Sequence, residues 1–399
     1  MKNKLFIISI IIATSYTIGA AVINLSLDGG TGDAVFGSGY MLILFMLLSM
    51  LFFIQNWEIA FLSPKVFKLA FLFGFLALWP TLFHMNGGLM DFVRIFNDVF
   101  QWIFSLLVGY IIAYKSSKDK VFTSYLLLAT ALPVAAYRIY SRSTLNLLYA
   151  DTEVLDITFI LLVLLPFVLT LKKEVIKIVI VLGIGILSIM SFKRTTVLAF
   201  SLMVMIYYYI LIFSNFTVKK RLVTIFAILI ASIALLQAFD FVEAKSGGLI
   251  VERMKTINED RGSDRLDIYA AVWKLQMEST PVEWIFGHGH RYVEAHFGYP
   301  AHNDFLEVLF DYGIVSFFIY LLFLFQLIRY ITKFYRLRKI FVEERAAYLG
   351  AIILFIFLGM MNCFITIPFY FSTLMLYFGI SIGNFERVNR SLIEEENSL

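Results

Sequence analysis

Over most of the chain the apolar residues neither alternate nor keep to one helical stripe; they come in unbroken runs separated by short charged loops. Such runs fall at about 4–25, 37–54, 66–84, 98–114, 120–138, 154–171, 175–191, 196–213, 222–239, 304–328, 346–364 and 367–384. A membrane helix needs roughly 20 mostly apolar residues, so the pattern predicts an all-α polytopic membrane protein with twelve spans. The first run follows Met1-Lys2-Asn3-Lys4 and shows no clear cleavage site, so it reads as a retained anchor. One stretch breaks the rhythm, a long polar loop over 240–303. The expected organisation is nine helices over 1–239, the loop over 240–303, and three helices with a charged tail over 304–399.

Composition narrows the class. Of 399 residues 60% are hydrophobic and 16% charged, against about 25% charged in a soluble domain. That excludes a soluble enzyme, a disordered chain and a disulfide-stapled secreted domain. The single cysteine, Cys363, lies in an apolar run and identifies no redox compartment. The net charge of +4 is explained by basic loops, so no nucleic-acid partner is expected.

Those loops set the orientation. With the N-terminus inside, alternate loops hold Lys2/Lys4, Lys65/Lys68, Lys115/Lys118/Lys120, Lys172/Lys173/Lys177, Lys219/Lys220/Arg221, a basic group between Arg329 and Arg345, and Arg387/Arg390. The opposite short loops carry only Arg94, Arg138, Arg142, Lys193 and Arg194. Both termini are therefore expected in the cytoplasm, and the 240–303 loop outside.

The outward exceptions are mostly arginine, whose planar fork grips phosphate oxygens in a bidentate way that lysine cannot. Arg94 lies between Asp91 and Asp98 at helical spacing and can equally serve as an ion-pair partner. Arg138 and Arg142 are one turn apart, and Lys193-Arg194 sit at a very short junction. Contact with lipid headgroups or carboxylates is the alternative for each of them. In the long loop an amphipathic helix is expected from Asp264 to about Thr280, with Ser263 as its cap and Leu266, Tyr269, Ala270, Trp273 and Met277 as its apolar stripe. Arg265 falls in the first turn, where the helix dipole disfavours a cation; an anion bound beside it would explain its position, as would pairing with Asp260, Asp264 or Asp267.

Four of the five histidines follow in the same loop: His288, His290, His296 and His302. No cysteine accompanies them at zinc spacing, so no metal is expected. Asn303 is placed to cap the tenth span, leaving His302 just outside the bilayer. Asp304, Glu307 and Asp311 then share one helical stripe at the start of an apolar run, where a carboxylate must face protein or water.

Taken in order, these elements resemble the O-antigen polymerase and ligase superfamily. The carriers are Arg265-Leu266-Asp267-Ile268-Tyr269-Ala270-Ala271-Val272-Trp273, Pro281, Phe286-Gly287-His288-Gly289, His302-Asn303-Asp304-Phe305-Leu306 and Asp311-Tyr312-Gly313. They lie within about residues 190–320. Ser191-Phe192-Lys193-Arg194 is similar to that family's Ser-Arg junction, with Phe192-Lys193 inserted, so either Lys193 or Arg194 can fill the arginine position.

The resemblance implies a multi-helix membrane glycosyltransferase fold with a helical outward loop capping a cavity. It implies transfer of glycan from an undecaprenyl-pyrophosphate-linked oligosaccharide to a sugar hydroxyl at the periplasmic face of the bacterial inner membrane. The acceptor is a lipid-linked repeat in a polymerase or lipid A-core in a ligase. Membrane lipids and a chain-length regulator are the further partners implied. His302 and Glu307 are the expected catalytic residues; Arg194, Arg265, Lys193 and Arg142 are expected at the pyrophosphate. Asn303, Asp304, Asp311, His288 and His290 are expected to bind sugar or hold the loop. Guanidinium forks on the leaving group make metal-independent, cofactor-free chemistry the expectation. An ion-coupled transporter using Asp156, Glu307 and Asp311 is the alternative from another class.

Overall fold

The computed structural model describes residues 7, 8, 11, 34–61, 63–83, 89–149, 158–214, 218–248, 251, 255, 265–337, 340–365 and 367–396. Most of the first predicted span, Asp156, and the Asp260, Ser263 and Asp264 positions lie outside them. Within them the chain is helical, with no strand. The helices are α1 (Ala34–Gln55), α2 (Trp57–Phe61), α3 (Lys65–Phe83), α4 (Leu89–Lys115), α5 (Ser117–Tyr149), α6 (Phe159–Leu169), α7 (Glu174–Met190), α8 (Arg194–Phe213) and α9 (Val218–Lys245). Then follow α10 (Arg265–Glu278), α11 (Pro281–Phe286), α12 (Tyr292–Phe297), α13 (Asp304–Arg336), α14 (Val342–Met361) and α15 (Pro368–Glu396).

Each predicted span from the second to the twelfth coincides with one of these helices or part of one. Five contain stretches long and apolar enough to cross a membrane: Ser117–Thr144, Arg194–Phe213, Thr224–Lys245, Asp304–Arg336 and Val342–Met361. Phe213, Phe226 and Phe318 on three of these, and Phe75 on α3, are each more than half exposed, so the outer faces of these helices are suited to lipid rather than water. α6 is the exception. Its eleven residues are all buried, and it packs on α5, α7, α8, α14 and α15. That accounts for a sequence apolar on every side.

The tightest pair is α4 with α15. A Cβ at Gly109 would strike the Leu376 carbonyl, and one at Gly379 or Gly383 would strike the Leu106 or Tyr110 carbonyl. Gly379-Ile380-Ser381-Ile382-Gly383 thus lets two backbones approach as small residues do between membrane helices. Around this contact Trp102 of α4 packs against Phe73 of α3, Phe323 of α13 and Phe371 of α15, at centroid distances of 5.9, 5.5 and 5.0 Å.

At one end of the bundle the lysine-rich loops meet. Lys177 is buried and donates to Glu174 at 3.0 Å, Glu343 at 3.1 Å and the Tyr207 hydroxyl at 3.1 Å. Lys120 pairs with Glu344 at 3.4 Å. Lysines from two loops assigned to the same side therefore converge on the start of α14.

Candidate functional site

Local capping shapes the segment that precedes α13. Thr280 and Glu283 form a reciprocal capping box: the Glu283 carboxylate accepts from the Thr280 N–H at 2.7 Å, and the Thr280 hydroxyl accepts from the Glu283 N–H at 3.3 Å. Pro281 opens α11 in the first helical position, where its missing N–H costs nothing. Asn303 caps α13 as its sequence context predicts, accepting from the Phe305 and Leu306 N–H groups at 3.0 and 3.2 Å.

Docking is a backbone event. α13 is broken at Gly313, which has φ 78° and ψ 172°; Gly287 adopts φ 87° and ψ 177°. Both values lie in a region that only glycine occupies comfortably. The two glycines face each other: a Cβ on Gly287 would run into Asp311 and Tyr312 backbone, and one on Gly313 into Ile285 and Gly287 backbone. Beside them the His288 N–H donates to the Phe310 carbonyl at 3.1 Å and the Gly289 N–H to the Asp311 carbonyl at 2.8 Å. The Gly-His-Gly and Asp-Tyr-Gly motifs are thus two halves of one contact, which seats the loop on the broken helix.

The carboxylate stripe reinforces this seat. All three side chains are fully buried. Asp304 accepts from the Ile365 N–H at 2.9 Å, and Asp311 from the Val293 N–H at 3.3 Å. Glu307 accepts from the Ala301 N–H at 2.8 Å and the Cys363 thiol at 3.1 Å. Asp304 and Glu307 therefore tie α13 to the turn after α14, Asp311 ties it to the start of α12, and Glu307 also holds the turn just before His302.

The histidines separate sharply. The His290 side chain is 5% exposed, with Nε2 at 2.9 Å from Asp98, Nδ1 at 2.6 Å from the Tyr312 hydroxyl, and the backbone N–H donating to Thr81 at 3.1 Å. Arg291 reaches the same Asp98 oxygen at 3.0 Å. Asp98 thus receives the loop, whereas the sequence offered Arg94 as its neighbour; the Arg94 side chain is outside the described residues. His288 bonds the Ser279 hydroxyl at 2.8 Å and stacks between Tyr292 and Phe310. His296, exposed on α12, stacks on Tyr292.

His302 sits differently. It is half-buried in the turn between Ala301 and the cap residue, with φ at +53°. Its Nδ1 lies 3.4 Å from Asn362 Oδ1, an acceptor-only atom. Donation from Nδ1 to that oxygen leaves Nε2 with a lone pair. Burial lowers its pKa below the ordinary 6.5; the Asn362 bond opposes that shift, and the charges of Arg265 and Lys193 add to it. These two cations come from α10 and from the α7–α8 junction, so the fold brings two of the predicted phosphate ligands to the predicted base. Tyr269 completes the rim, its hydroxyl sharing a single proton between the His302 carbonyl at 3.2 Å and the Met360 carbonyl at 3.0 Å.

Lys193 is held at a strained turn. Phe192 has φ +54°, the Ser191 hydroxyl accepts the Lys193 N–H at 3.3 Å, and Lys193 Nζ lies 4.4 Å over the Phe159 ring. Arg194 is the first residue of α8. Arg142 lies on α5 one turn beyond Arg138, half-buried. The non-glycine residues of positive φ among those described are Phe192, Arg291 and His302, one in each segment that carries these motifs. Strain of this kind gathers at functional sites, at about 1–3 kcal/mol each.

Two sequence expectations are revised in detail. α10 does not bury its Leu266, Trp273 and Met277 stripe, which is exposed; Val272 and Gln276 are buried instead, and Ile268 and Leu275 pack inward. The helix is apolar on two sides, and the loop core of Val293, Ala301, Phe310 and Cys363 selects the second. Asn362, Tyr269 and Asp98 were not singled out as site residues. Asn362 had a signal: a lone amide inside the apolar run predicted as the eleventh span, where the helix in fact ends at Met361.

No curated protein matches the chain. The family model described as O-antigen ligase matches residues 178–321, a segment holding the Lys193 junction, α10 to α12, the paired glycines and the His302 rim. Over that segment the chain is similar to the O-antigen ligase family, in line with the resemblance to the O-antigen polymerase and ligase superfamily that its motifs carry.

Proposed function

We propose that the protein is a polysaccharide polymerase of the bacterial inner membrane, taking glycan from an undecaprenyl-pyrophosphate-linked donor and transferring it to a sugar hydroxyl of a lipid-linked acceptor. What carries this reading is the placement of Arg265, 3.9 Å from the Met361 sulfur and so next to the Asn362 that bonds His302, with the charges of Arg265 and Lys193 both bearing on the imidazole. In the proposed step the acceptor hydroxyl attacks the anomeric carbon while its proton passes to His302 Nε2. The bond from that carbon to the pyrophosphate oxygen breaks, and undecaprenyl pyrophosphate leaves with the electron pair. A single in-line displacement inverts the anomeric carbon.

Arg265 and Lys193, with Arg194 and Arg142 beside the same outward face, carry the leaving group's charge, the task a divalent metal performs elsewhere. The two sites are coupled. While the pyrophosphate is absent, both cations favour a neutral imidazole; once it binds, their charge is compensated and His302 becomes the stronger base. Asn303, Asp304, Glu307 and Asp311 hold the rim in register, and His288 and His290 fix the loop beneath it. Twelve spans, both termini cytoplasmic, a periplasmic 240–303 loop and a multi-helix glycosyltransferase architecture belong to this reading.

A ligase using the same donor and lipid A-core as acceptor is the second reading, favoured by the likeness of residues 178–321 to the O-antigen ligase family. Purified protein incubated with lipid-linked oligosaccharide alone should give a ladder of polymer lengths. Glycan transfer only when lipid A-core is added would replace polymerase by ligase, and no transfer to either would end both readings.

A further inference from the structure

A second site lies far from the rim. A cavity of 700 Å³ opens among α3, α4, α13 and α15 where Arg329 and Lys333 project, sixteen residues or about 24 Å along α13 beyond Gly313. Its acids are already committed. Glu386 accepts from the Tyr330 hydroxyl at 2.7 Å and from Lys333 at 3.2 Å. Glu394 takes Arg390 at 2.7 Å, and Arg390 also donates to the Tyr114 hydroxyl at 3.0 Å. Lys65 and Arg329 line the same cavity, and among the described residues neither has an ion-pair partner. Topology accounts for positive charge on this side of the bundle. It does not account for two uncompensated cations, from helices far apart in sequence, meeting over one cavity with Val66 and Ile393 in its wall.

We infer that this cavity binds a phosphate-bearing anion, with Lys65 and Arg329 as its ligands and the headgroup of an anionic phospholipid as the occupant the bilayer supplies. The inference is independent of the glycosyl-transfer reading: the site lies at the other end of the bundle and shares no residue with the rim. Basic pockets between membrane helices on the lysine-rich side hold such headgroups by charge and leave the acyl chains in lipid.

The full-length protein, purified and stripped of lipid, would be titrated with dioleoyl phosphatidylglycerol, dioleoyl phosphatidylcholine or glycerol 3-phosphate and examined by native mass spectrometry. Phosphatidylglycerol should be retained in preference to phosphatidylcholine. Lys65→Gln and Arg329→Gln should each lower that retention about fivefold at unchanged melting temperature. Displacement of the lipid by millimolar glycerol 3-phosphate would support the site with a soluble phosphate as its ligand; no displacement would support it as a lipid site. Equal retention of the two lipids would overturn the inference. So would an equal loss in the control variants Lys118→Gln and Lys173→Gln, which remove the same charge outside the cavity.

Discussion

His290 and His302 stand twelve residues apart in one loop, and the fold uses them in opposite ways. Both ring nitrogens of His290 are occupied, by Asp98 and the Tyr312 hydroxyl, and its backbone is tied to α3. It is a joint between loop and bundle. His302 gives one nitrogen to Asn362, keeps a strained backbone, and faces two cations. The lesson is that a histidine serves as a base only with a nitrogen to spare, and that the spare nitrogen is created by what holds the other one. The Asn362 bond is therefore as much part of the proposed base as the imidazole.

The largest effect should come from removing that base. His302→Ala is expected to lower glycan transfer by about 10²–10⁴-fold with the melting temperature nearly unchanged; His302→Asn and His302→Gln should fall as far, since neither accepts a proton near neutral pH. The counterpart, His290→Gln, should cost about 1–3 kcal/mol of stability through the unsatisfied Asp98 and Tyr312 groups and leave turnover per folded molecule within about threefold. Near-normal transfer in the His302 variants, or a loss confined to turnover in His290→Gln, would reverse the two roles and make Glu307 the next base to test.

Next in size is the contact that seats both histidines. Gly313→Ala forces a side chain into the glycine-only region, worth about 1–3 kcal/mol, and against the Ile285 carbonyl besides. Yield of folded protein and the unfolding midpoint should both drop, while Gly183→Ala, with open space around it, should change neither. Arg265→Lys keeps the charge and loses the fork, so transfer should fall about tenfold to a hundredfold at unchanged stability. Equal activity with lysine would leave charge, not bidentate geometry, as what the donor needs.

The smallest expected signature is in pH. His302 must be neutral to accept a proton, and its pKa lies below 6.5 in the donor-free protein because burial and two cations disfavour the imidazolium. The acidic limb of kcat/KM should accordingly lie below pH 6.5, losing about tenfold per unit under it, and the limb of kcat, read with donor bound, should lie higher. Removing the Lys193 charge, as in Lys193→Gln, should move the first limb up and narrow the gap. Identical limbs in kcat and kcat/KM would mean that donor charge and His302 are not coupled.

Much of this architecture was legible from local pattern. Unbroken apolar runs marked the helices that follow the second to twelfth predicted runs, because a helix satisfies its own backbone groups internally and only side-chain hydrophobicity remains to be read. Asn303 announced a helix start by chemistry confined to a few residues, and His302 was placed at the rim by its neighbour alone; Pro281, which in the sequence marked only the end of the helix before it, also opens the next one. What the sequence could not carry was pairing at a distance. Nothing local to His290 names Asp98, 192 positions away, nor local to His302 names Asn362, 60 positions away. The exposed stripe of α10 and the buried one are both apolar, so periodicity alone had no means of choosing between them. The Asp304, Glu307 and Asp311 stripe was visible as an anomaly, yet whether carboxylates in an apolar helix meet substrate, ions or backbone depends on what the tertiary fold packs against them. Here it packs the N–H groups of Ile365, Ala301 and Val293. A chain can state which groups must be satisfied; only the folded arrangement supplies the partner, because hydrogen bonds and charges act over a few ångströms of space and are blind to separation along the sequence.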